Sequence, residues 1–153
     1  MMAKYPRSFK LPYLLWILAV IFVIFYPMLI SIYVFLPLLI GVMGYLLILG
    51  IEKGEKSYIF TALVYFINLE INLSLPFFLT IISSLTIYVL FFQSLLYFRK
   101  CKVCIPIITV ILLDFFYLGS LLAYDFIFQE TTIMLDNILL YSLVIDLLIV
   151  VVL

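Results

Sequence analysis

The stretch Leu11–Ile51, LPYLLWILAVIFVIFYPMLISIYVFLPLLIGVMGYLLILGI, runs for 41 residues without a charged side chain. A helix rises ~1.5 Å per residue and a bilayer core is ~30 Å thick, so about 20 apolar residues make one crossing. The stretch is too long for one crossing and right for two. The sequence predicts the break at Tyr26-Pro27, because proline disfavours helix at the residue before it. Span one is then about 11–26 and span two about 28–50. The basic start followed by apolar residues resembles a signal peptide. It lacks a small-residue cleavage pattern, so it reads as an uncleaved first span.

The rest of the 153-residue chain has the same character, with 69% apolar residues and a mean hydropathy of +1.45. Soluble domains lie near 45–50% apolar, so these side chains need lipid. Glu52, Lys53, Gly54, Glu55 and Lys56 form a polar turn, and a third span follows over about 57–72. Ser74-Leu75-Pro76 reads as a helix start, with a serine to cap and a proline for the first turn. The fourth span is about 75–98. Arg99, Lys100, Cys101 and Lys102 form a basic turn before a fifth span at about 103–126. Gln129, Glu130, Thr131 and Thr132 form the last turn, and the sixth span covers about 133–153. The expected fold is all-α, a single polytopic transmembrane domain over 1–153 built as a six-helix bundle.

Charge orients it. All eight Lys and Arg residues fall at Lys4, Arg7, Lys10, Lys53, Lys56, Arg99, Lys100 and Lys102. Basic residues beside membrane segments mark the cytoplasmic side. Six spans with both termini inside put every one of them there. The outer turns then hold Glu70, Asp125 and Glu130, with Asp136 close by. That acidic rim has a topological explanation before a ligand-binding one. Tyr13, Trp16, Tyr26, Tyr33, Tyr58, Tyr97 and Tyr124 lie near span ends, as interfacial aromatics do. The expected home is a cell membrane, a bacterial inner membrane by type. No basic patch supports nucleic-acid binding. The chain has no His, which removes the commonest general base and metal ligand. No catalytic residue, cofactor or metal is expected.

Asp114 lies ~16 Å from the inner end of span five and Asp146 ~10 Å deep in span six. A carboxylate at such depth costs at least ~2.5 kcal/mol, and no span carries a Lys or Arg to offset it. The acids are hydrogen-bonding glue between helices or a proton or cation relay. Asp114, Tyr117, Leu121 and Asp125 share one helix face; Ser142 and Asp146 share another. Thr61, Tyr65, Asn68 and Asn72 make a polar stripe on span three, ending beside Glu70. Thr80, Ser83, Ser84 and Ser94 gather on span four. These groups should point into the bundle, since lipid cannot satisfy them. Gly41 and Gly44, and Gly119 with Ala123, permit close helix approach. Pro37 reads as a kink within span two.

Cys101 and Cys104 have the C-x-x-C spacing of a thiol redox pair, with basic neighbours that activate a thiol. The expected side is reducing and no second pair exists to relay electrons, so small apolar helix-start residues are the simpler reading.

The outline is similar to the MreD family of bacterial rod-shape-determining proteins. Six spans with almost no loops, the Pro37-Leu38-Leu39 run, Glu70 at the outer end of span three and the following span 75–98 carry that resemblance. It implies a non-enzymatic subunit of the wall-elongation machinery, bound to other membrane proteins. The first reading is therefore an integral membrane subunit acting through helix–helix binding, with the lipid bilayer and other membrane proteins or its own copies as partners. The alternative is a small proton- or cation-coupled transporter using Asp114 and Asp146.

Overall fold

A computed structural model of the chain describes residues 13–33, 36–95, 97, 100–101, 103–129 and 135–152. These form six helices: α1 (Tyr13–Ile32), α2 (Ile40–Lys53), α3 (Lys56–Leu73), α4 (Leu79–Leu95), α5 (Cys104–Phe128) and α6 (Leu135–Val152). No strand occurs among the described residues. Lys4, Arg7, Lys10, Arg99, Lys102, Glu130, Thr131 and Thr132, and the side chain of Asp136, lie outside the described residues.

Two helices, α1 and α5, are long and apolar enough to cross a membrane among the described residues. α4 and α6 contain shorter apolar stretches, Leu79–Phe91 and Leu140–Val152. α2 packs against α3, α4, α5 and α6 and forms the centre of the bundle, while α1 lies at the edge against α3. The faces of α1 and α4 away from the bundle expose Leu14, Phe22, Phe25, Val89 and Leu90.

The first break lies elsewhere than the sequence predicts. Pro27 sits inside α1, buried. A proline removes one backbone N–H and loosens the preceding turn. Here the Asn68 side-chain amide donates to the Ile24 carbonyl in that turn. Neighbouring polar side chains of this kind let membrane helices keep an internal proline. The chain instead leaves the helix after Ile32 and re-enters at Ile40, so span two loses residues 28–39 from its helix. Leu39 takes a left-handed conformation, φ 51°, which ends any continuous helical path through Pro37.

The start of α4 also shifts. Ser74 adopts φ 52° and closes the end of α3, its N–H donating to the Glu70 and Ile71 carbonyls. Ser74 thus stops α3 rather than capping α4. Phe78 is left-handed as well, φ 64°, and α4 begins at Leu79. Pro76 consequently lies in the connection, ahead of the helix.

Candidate functional site

The polar interior is built around the non-helical segment 36–39 and the first turn of α2. Buried backbone outside a helix needs protein groups to satisfy its N–H and carbonyl atoms. Two tyrosines donate to its carbonyls. Tyr26 Oη bonds the Pro37 oxygen at 2.9 Å, and Tyr65 Oη bonds the Leu38 oxygen at 2.6 Å. Two α6 side chains accept its N–H groups. Ser142 Oγ takes Leu38 N–H at 3.0 Å and Asp146 Oδ2 takes Gly41 N–H at 2.8 Å. Asp114 reaches the same place from α5. A Cβ on Gly41 would stand 2.9 Å from Asp114 Oδ2 and 3.0 Å from Oδ1. The absence of a side chain at Gly41 therefore lets both carboxylates approach the end of α2, where unpaired N–H groups carry about half a positive charge.

Asp114, Asp146, Ser142 and Tyr117 are all buried, with Asp146 fully inaccessible. Three of their oxygens have no hydrogen-bond partner: Asp114 Oδ2, Asp146 Oδ1 and Tyr117 Oη. Asp114, Tyr117 and Leu121 do share the inward face of α5.

Glu70 is not on an exposed acidic rim. It is 1% exposed. It accepts Phe78 N–H at 2.7 Å, Thr80 N–H at 3.0 Å and the Thr80 hydroxyl. Burial is possible because a carboxylate satisfied by several donors at a helix start is stabilised there. Glu70 therefore forms a second polar centre with the start of α4.

The α3 stripe acts as glue only in part. Tyr65 and Asn68 reach neighbouring elements, whereas Thr61 bonds the Ser57 carbonyl and Asn72 bonds Asn68. Of the α4 hydroxyls, Thr80, Ser83 and Ser84 face inward while Ser94 is exposed, and Ser83 and Ser84 bond within their own helix, to the Leu79 and Thr80 oxygens. A short hydroxyl side chain reaches the carbonyl four residues back more readily than a neighbouring helix.

Sequence reasoning misplaced Tyr26. Tyr26 was expected at an interface with the bilayer, yet it is buried and holds the α2 entry. The available signal was Pro37, a residue whose neighbouring carbonyls need donors from elsewhere.

Cys101 and Cys104 are joined as a disulfide at the start of α5. Gly44 packs as expected, because a Cβ there would meet Leu113 Cδ1 at 2.8 Å. Among the described residues, nothing packs against Gly119. It and Ala123 are exposed, and nothing lies within 4 Å of a Cβ placed on Gly119. Among the described residues, no group of three or more acidic, Cys or His side chains is arranged to hold a metal. Comparison with known protein families, with curated proteins and with solved structures finds no match.

Proposed function

We propose that this chain is a non-enzymatic integral membrane subunit that docks helices of partner membrane proteins. Its setting would be the bacterial inner membrane, in machinery of the cell-shape and wall-elongation type that the MreD resemblance implies. The observation that carries the reading is the open Gly119–Ala123 notch on α5. Two small residues four apart let a second helix approach backbone to backbone, where packing rather than the hydrophobic effect drives association. The inward polar groups offer a partner nothing, since most are occupied by the chain's own backbone. The notch lies on the outer face, flanked by exposed Phe115, Leu122 and Phe126.

The same reading takes the bundle as six crossings with both termini cytoplasmic. α2 has 14 residues, which span only ~21 Å as helix. Segment 36–39 continues the crossing beyond the helix towards the ~30 Å of a bilayer core. A discontinuous second crossing accounts for both lengths.

A photo-crosslinking residue at Gly119, in native membranes, tests the docking reading. It should capture a membrane protein, whereas the same probe at exposed Phe60 should capture lipid alone. Lipid alone at both positions would remove the support for this reading. The second reading remains a proton- or cation-coupled transporter. What favours it is the meeting of Asp114 and Asp146 at a broken helix, an arrangement that transporters use for coupling ions.

A further inference from the structure

We propose that Asp114 and Asp146 form one buried proton-binding site, holding a single proton between them at the N-terminus of α2. The site does not depend on partner docking or on transport.

Two carboxylates from different helices converge on Gly41. Each leaves one oxygen buried and without a donor, Oδ2 of Asp114 and Oδ1 of Asp146. An ionised carboxylate only accepts hydrogen bonds. Two ionised acids would leave both oxygens unsatisfied and set two like charges beside Gly41. One proton removes both faults, because it converts one acid into a donor and leaves one negative charge. The α2 N-terminus, with about half a positive charge, suits that single charge.

Among the described residues no basic side chain is available to replace the proton: the chain has no His, Lys53 ends α2, Lys56 starts α3 and Lys100 lies in the turn before α5. The titratable groups brought by the neighbouring helices are chiefly tyrosines. Tyr26 comes from α1, Tyr65 from α3, Tyr88 from α4, Tyr117 from α5 and Tyr141 from α6. α3 adds Glu70, which is already bonded to α4, and α2 adds Tyr45, Glu52 and Lys53.

The space beside Asp114 leaves no room for a hydrated ion. The cavity touching Asp114 measures about 10 Å³ and is walled by Phe115, Leu118, Leu140 and Leu143. A water needs at least ~10–15 Å³, so the cavity has room for one water at most and none for a hydrated ion.

Infrared spectroscopy of the full chain in lipid nanodiscs at neutral pH reads the carboxylic-acid C=O stretch, identified by its shift in deuterated water. The expected intensity is one protonated carboxyl per chain. Asp114→Asn and Asp146→Asn should each abolish it, because the asparagine amide supplies the missing donor and the remaining acid ionises. Glu70→Gln should leave it unchanged. Sodium chloride at fixed pH should leave it unchanged as well. No band, two acids per chain, a band that survives either Asn variant or is lost with Glu70→Gln, or displacement by sodium would each overturn the proposal. If a variant fails to accumulate, the wild-type count and the sodium arm still decide it.

Discussion

Glu70 and Thr80 are bonded twice: Glu70 Oε1 accepts both the Thr80 N–H, at 3.0 Å, and the Thr80 hydroxyl. Glu70 Oε2 accepts Phe78 N–H at 2.7 Å. The last turns of α3 thus supply the cap that the α4 sequence lacks. Glu70→Leu leaves two backbone donors without that acceptor and should cost roughly 2–4 kcal/mol. Glu70→Gln keeps one acceptor and should cost about half as much. Thermal unfolding in mild detergent should rank wild type above Gln above Leu.

The four glycines within helices should separate sharply by position. A Cβ on Gly41 would meet Val110 Cγ1 at 2.7 Å and the Asp114 carboxylate. Gly41→Ala should destabilise by about 1–3 kcal/mol through overpacking. Gly119→Ala meets open space and gains helix propensity, so it should be neutral or stabilising by up to ~1 kcal/mol. The same unfolding assay measures both, and equal losses would place Gly119 against a neighbour.

Removing the tyrosine hydroxyls should loosen the entry to α2. Tyr65→Phe leaves the buried Leu38 carbonyl without its 2.6 Å donor. A hydrogen bond inside a membrane protein is worth about 0.6–1.7 kcal/mol, and the loss should fall in that range. Tyr26→Phe should cost less, because Pro37 is only partly buried. Hydrogen exchange at Leu38 and Gly41 amides should rise in both variants.

The Cys101–Cys104 bond closes a ring of only four residues. The chain-entropy estimate for so short a ring is at most about 2 kcal/mol. Replacing both by Ser should lower stability by no more than that and leave partner binding intact. Loss of binding at normal protein levels would give the thiols a working role.

Helix number and most helix ends were legible from hydropathy and charge. The polar turn at 52–56 and the turn at Gln129 stand where composition puts them. The first break was not legible. Pro27 looked decisive because local rules govern the residue before a proline, yet Asn68, 44 residues away from Ile24, supports its turn. The real break at 36–39 depends on Ser142 and Asp146, more than 100 residues downstream. Glu70 was misplaced for a related reason. Its position near a span end suggested water, while its donors come from a helix start that Phe78 bends back towards it. The burial of Asp114, Tyr117 and Leu121 was legible, because helical spacing alone puts them on one face.

On the proposed reading, buried acids hold the chain's own backbone while the outer face of α5 binds a partner. Affinity capture from native membranes in mild detergent compares Gly119→Leu with Asp114→Asn. Gly119→Leu has room to fold and should lose its membrane partner at least tenfold. Asp114→Asn keeps a donor and an acceptor and should fold and retain the partner. A well-folded Asp114→Asn chain that loses its partner, beside a Gly119→Leu chain that keeps it, would contradict the account.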